Sequence, residues 1–174
     1  MWNKNTGNKI NNIRWEETMR QKKISYWLKG IDVLLGVMGL IFFGGLTFFA
    51  LQLKELDSES LFWTFIFSSW YIAVLCYGIL VEFWKVCTQI GRDNSFSAEN
   101  ATSFHRMGLC GALGIVGFAA RLVYLLAESA LTFPVAVFTV AEILIALVFV
   151  VLCEALSRLV INAYEMKQEN DLTI

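Results

Sequence analysis

Two ionisable residues stand inside apolar stretches with no opposite charge three or four positions away. They are Arg121, in "GIVGFAARLVYLL", and Glu142, in "VAEILIALV". A guanidinium and a carboxylate in such surroundings can neutralise each other, move a proton or hold a ligand. The connection between their segments centres near residues 130–131. Antiparallel helices on either side of it bring residue 121 to the depth of residue 140. The spacing therefore predicts an Arg121–Glu142 pair across the two helices. One pair, with no chain of further acids, is thin machinery for a pump or transporter.

Little else in the chain has the makings of chemistry. His105 is the single histidine, and Cys76, Cys87, Cys110 and Cys153 are scattered without a C-x-x-C. That pattern predicts no metal site and no cofactor. There is no H-E-x-x-H, G-x-S-x-G or glycine-rich phosphate loop. Ser103, two residues before His105, points elsewhere on a helix, so the two do not form a nucleophile–base pair. The expectation is a protein that is not an enzyme. A net charge of −1 gives no field to draw in nucleic acid directly.

The polar residues concentrate instead in "FWKVCTQIGRDNSFSAENATSFHRMG", residues 83–108. Arg92, Asp93, Asn94, Ser97, Glu99, Asn100, His105 and Arg106 are its candidate partner-binding groups. Gly91 reads as a helix stop and Asp93-Asn94-Ser95 as a turn. Ser97 reads as the N-cap of a following helix, with Glu99 in its first turn and a weak Phe96–Ala101 staple. The stretch is thus expected to be an ordered helical hairpin.

The elements that must position these groups are membrane helices. The chain is 57% hydrophobic with a mean hydropathy of +0.58, too apolar for a soluble domain of 174 residues. Four runs, 31–53, 61–83, 107–127 and 134–156, are each near the ~20 residues needed to cross hydrocarbon as a helix. Residues 1–30 carry seven lysines and arginines, the middle loop three, the tail two, and the other side only Lys54. That asymmetry predicts both termini and the middle loop in the cytoplasm.

The expected fold is all-α, a four-helix transmembrane bundle. It comprises a basic flank 1–30, a membrane domain 31–156 with its cytoplasmic hairpin 84–106, and a cytoplasmic end 157–174. The flank reads equally as an interfacial amphipathic helix or a loose topogenic tail. Asp32, Glu82 and Glu154 have Lys29, Lys85 and Arg158 within reach at the interface. Gly108, Gly111, Gly114 and Gly117 recur every three residues, a stripe that drifts round the helix and suits close packing. The same stripe is the candidate face for a homo-oligomer. Near the end, Glu169-Asn170-Asp171 reads as a helix break, after which the last three residues would dock under the hairpin.

Two blocks carry a resemblance. "FSAENATSFHRMG" resembles the F-S-x-E-N…L-R-x-I-G block of the YoaS-like bacterial membrane proteins, and "EMKQENDLTI" resembles their E-N-D-L-T-I terminus. Phe104 and His105 depart from that pattern. The resemblance implies a multi-pass protein of the bacterial cell membrane, of unknown activity. It also implies, by association with a small helix-turn-helix regulator, a cytoplasmic regulatory partner touching the hairpin and Glu169, Asn170 and Asp171. Membrane lipids are the other expected partner.

Overall fold

The computed structural model describes residues 4–53, 59–129 and 131–172. They form four helices: α1 (Lys4–Leu53), α2 (Glu59–Gly91), α3 (Ala98–Ala127) and α4 (Phe133–Leu172). All four are long and apolar enough to cross a membrane, which makes this a multi-pass membrane protein by length and composition.

Both terminal helices are longer than a membrane requires. α1 has 50 residues, ~75 Å at 1.5 Å per residue, and runs unbroken through the basic flank into the first span. Its only possible breakers before the span are Gly7 and Gly30, because the chain's one proline is Pro134. From Lys4 onward the flank is therefore helical and continuous with the span. At the other end, α4 continues through Glu169 and Asn170 to Leu172, which corrects the expected break there. Helix-compatible Tyr164, Glu165, Met166, Lys167 and Gln168 precede these residues, and Gln168 Nε2 donates to Tyr164 Oη one turn back (2.6 Å). α4 starts where Pro134 is tolerated, in its first turn. The Thr132 carbonyl accepts the first helical hydrogen bond from Ala136 (3.0 Å).

Packing is narrower than a closed bundle implies. Among the described residues α1 packs on α2, α2 on α3 and α3 on α4, and no other pair of helices meets. The helices stand in a row, with α1 and α4 at its edges. On α1 the residues turned toward α2 include Ser25, Asp32, Gly36, Gly39, Phe43 and Ala50, mostly three, four or seven apart. This is the seam of antiparallel helices crossing at a shallow angle.

Each neighbouring pair is tied by a hydroxyl donating to a backbone carbonyl of the facing helix. Ser25 Oγ reaches Cys87 O at 2.5 Å and Tyr77 Oη reaches Gly36 O at 2.7 Å, joining α1 and α2. Tyr71 Oη reaches Leu113 O at 2.9 Å, joining α2 and α3. Ser157 Oγ reaches Ala101 O at 2.7 Å, joining α3 and α4. Lipid gives no hydrophobic drive for helix association, so close packing and such bonds must supply it; each is worth about 0.6 kcal/mol on average.

The glycines make this approach possible, and their drift has a use. A Cβ on Gly108 would meet Cys153 at 3.4 Å, and one on Gly111 would meet Val150 at 2.9 Å, both on α4. A Cβ on Gly114 would meet Leu75 at 3.9 Å, and one on Gly117 would overlap the Tyr71 ring, both on α2. Steps of three residues turn ~60° each, so one stripe serves α4 at its start and α2 at its end.

Candidate functional site

The end of the row that carries the polar hairpin is built from the backbone outward. α2 closes through a double bond of the kind that follows a left-handed residue. Asp93 N donates to Ile90 O (3.2 Å) and Asn94 N to Gln89 O (3.1 Å), with Asp93 at φ 60°. The left-handed position is therefore Asp93 and not Gly91, which corrects the expected stop. Gly91 is the last helical residue, and its missing side chain serves another purpose. A Cβ there would lie 2.7 Å from Ser25 Oγ and 3.0 Å from Ser25 Cβ. Glycine lets α1 cross the end of α2.

Asp93 occupies a conformation that costs most L-residues about 1–2 kcal/mol, and aspartate somewhat less. Asp93→Gly is accordingly expected to raise the midpoint of thermal unfolding in detergent, and Asp93→Val to lower it. Equal midpoints for the two variants would show that this turn does not contribute to stability.

The second half of the hairpin is held by side chains. Ser97, at φ −135° and ψ 152°, caps α3 by accepting from Asn100 N (3.2 Å). Asn100 is 1% exposed. Its Nδ2 donates back to Ser95 O (2.9 Å) and Asn94 O (3.4 Å), so it clamps the turn from inside. Gln89 Nε2 donates to Glu99 Oε2, and Asn94 Nδ2 donates to Gln89 Oε1 (3.4 Å), linking the end of α2 to the start of α3. Phe96 stays 56% exposed, so the expected staple contributes little.

Two carboxylates then lock the neighbouring helices. Glu82 on α2 takes Lys85 at 2.6 Å and Arg106 at 3.6 Å. Glu154 on α4 takes Arg158 at 3.2 Å and His105 Nδ1 at 3.0 Å. His105 and Arg106 are adjacent on α3, ~100° apart round its axis, so they reach to opposite neighbours. Arg106, Arg158 and the His105 ring are each more than half exposed, and contacts of that kind contribute at most about 1 kcal/mol each. Asp32 does not pair with Lys29 as expected. Asp32 is buried against α2, while Lys29 Nζ lies 5.0 Å from the centre of the Trp84 ring.

Of the candidate partner-binding residues, Asn94, Ser97 and Asn100 are spent on holding the hairpin, and His105 and Arg106 on the facing helices. Arg92 and Asp93 are exposed, and so is Glu99, whose carboxylate also accepts from Gln89. Glu169 and Asn170 are exposed, on an α4 that has already passed Ser157, the partner of Ala101. Twelve residues of helix separate Ser157 from Glu169, ~18 Å of rise, so these residues stand beyond the hairpin and not beneath it. The side chain of Asp171 and residues 173–174, on which the docking expectation falls, lie outside the described residues.

Away from this end, Arg121 and Glu142 do meet. Arg121 Nη2 donates to Glu142 Oε2 at 2.5 Å and to Thr139 Oγ1 at 2.8 Å, and the guanidinium carbon lies 5.4 Å from the Phe118 ring centre. Thr139 is fully buried and was not singled out from the sequence. Its position three residues before Glu142, hence on the same helix face, is the signal that marks it. A shallow groove beside Arg121, between α2 and α3, is walled by Trp63, Phe67, Tyr71 and Tyr124. Among the described residues no three His, Cys, Asp or Glu side chains gather as metal ligands.

Residues 52–174 match a family described as "Protein of unknown function (DUF2975)". The chain belongs to this family. The DUF2975 match takes in α2, α3 and α4, the hairpin and both motif blocks, and leaves out all of α1 but its last residues. The DUF2975 description carries no link by name to the YoaS-like proteins, so that narrower resemblance rests on the quoted motifs. No curated protein and no solved structure matches the chain.

Proposed function

We propose that this DUF2975 protein is a non-enzymatic membrane protein that holds a cytoplasmic regulatory partner at its hairpin end. The observation that supports this reading is the shape of that end. The two middle helices stop at Gly91 and start at Ala98, while the two edge helices run on past them. An ordered polar floor thus lies between two helical walls, with Arg92, Asp93 and Glu99 exposed on it. The wall formed by α4 is mixed in charge, with Glu165, Lys167 and Glu169. A partner that fits one spacing of the walls better than another would shift their populations, which is how such a surface relays a membrane event. The resemblance to the YoaS-like proteins makes a small helix-turn-helix regulator the partner to look for.

The test is cross-linking and affinity purification of the full chain from its native membranes. One specific soluble protein is expected to co-purify, with recovery falling about tenfold in Arg92→Ala or Glu99→Ala, as for a central contact residue. Equal recovery from all three chains would refute the hairpin as the binding face. The transporter or lipid-binding alternative has less support, because Arg121 Nη2 is held by Glu142 and Thr139 within the protein.

A further inference from the structure

The outer face of α1 has an arrangement the partner reading does not use. Lys23, Tyr26, Trp27, Gly30, Ile31 and Leu34 recur at helical spacing on one side and form a shallow notch. Gly30 is its floor: a Cβ there would meet nothing within 4 Å. Tyr26 and Trp27 are each 76% exposed and wall the notch. The face is turned away from α2, since Ser25 and Asp32, which are buried against α2, lie on the opposite side of the helix.

Charge and continuity together indicate what covers it. Arg20, Lys22 and Lys23 are exposed, and no acidic residue occurs between Thr18 and Ile31. Below the notch the same stripe continues into Leu34, Met38 and Ile41, exposed side chains of a membrane-crossing segment. Read along the axis, cations are followed by an interfacial Tyr-Trp pair and then by hydrocarbon-facing aliphatics. That is the order of phosphate, glycerol backbone and acyl chain in a phospholipid.

We propose that this notch binds an anionic phospholipid, its phosphate at Lys23 and Arg20 and its upper acyl chain against Trp27, Gly30 and Leu34. The site belongs to α1, almost all of which lies outside the family match. It is independent of the hairpin surface.

The experiment is native mass spectrometry of the full chain in neutral detergent. Phosphatidylglycerol or phosphatidylcholine with the same acyl chains is added in separate titrations, with inorganic phosphate as competitor in a third. The wild type is expected to bind phosphatidylglycerol several-fold more tightly than phosphatidylcholine. Arg20→Gln/Lys23→Gln is expected to weaken phosphatidylglycerol roughly tenfold to thirtyfold, at about fivefold per surface cation, and to leave phosphatidylcholine unchanged. Arg20→Lys/Lys23→Arg keeps the charge and is expected to keep the preference, which separates charge loss from misfolding. Gly30→Leu fills the notch and is expected to weaken phosphatidylglycerol with every charge in place. Equal binding of the two lipids overturns the proposal, as does a preference that survives the glutamine variant. Displacement by inorganic phosphate at concentrations like those of the lipid also overturns it, since the site would then take the free anion.

Discussion

Arg121→Leu is expected to destabilise the protein by about 2–3 kcal/mol, the order of magnitude for an uncompensated charge within a span. The cost comes from what is left behind. Glu142 loses its partner at 2.5 Å and Thr139 its donor at 2.8 Å, in a segment flanked by Ile143, Leu144 and Ile145. Removing both charges in Arg121→Leu/Glu142→Leu is expected to recover most of the loss, because two apolar residues then stand where an ion pair stood. Equilibrium unfolding in mixed micelles, run on both single variants and the double, gives the coupling directly. A double variant as unstable as Arg121→Leu would mean that Arg121 supports α3 by packing and that its pairing with Glu142 adds nothing.

Gly117→Ala is expected to cost about 1–3 kcal/mol, the range for one methyl group forced into a filled contact. The new Cβ would overlap the Tyr71 ring, with Cδ1 2.9 Å away. Tyr71 would have to swing out, giving up its bond to Leu113 O and opening the α2–α3 contact. Gly114→Ala, where the nearest atom is Leu75 Cδ1 at 3.9 Å, is expected to change stability little. Tyr71→Ala should make Gly117→Ala nearly neutral, since the obstructing ring is gone. The same unfolding experiment checks all of these. A Gly117→Ala protein as stable as the wild type, with Tyr71 unchanged, would remove the ring from the account of how α2 and α3 hold together.

The spans were legible because hydrocarbon thickness sets a length, and 31–53, 61–83, 107–127 and 134–156 all fall inside the observed helices. The Arg121–Glu142 approach was legible because a short connection fixes antiparallel depth by counting. The Ser97 cap was legible because its geometry needs only local residues. Helix order in space was not. Hydropathy marks which residues avoid water, but α1 and α4 avoid it equally well against lipid or against each other. Gly91 misled for a related reason: a glycine at a helix end has two uses, and only the position of Ser25 shows that here it makes room for a neighbour. Asn100 reads as one polar residue among several until its amide is seen holding Asn94 and Ser95. Glu169-Asn170-Asp171 looked like a terminator because helix propensity is a weak guide over three residues and the turns before them carry the helix on.

Because no helix has more than two neighbours among the described residues, their cohesion is the sum of three contacts in series. Loss of one leaves the other two intact. α1 can peel from α2 by breaking the bonds at Ser25 and Tyr77 while the α2–α3–α4 slab stays assembled, and that slab is the portion matched by the family. Hydrogen exchange in such a chain would proceed edge first, with α1 amides opening as one unit at a lower free energy than those around Gly111.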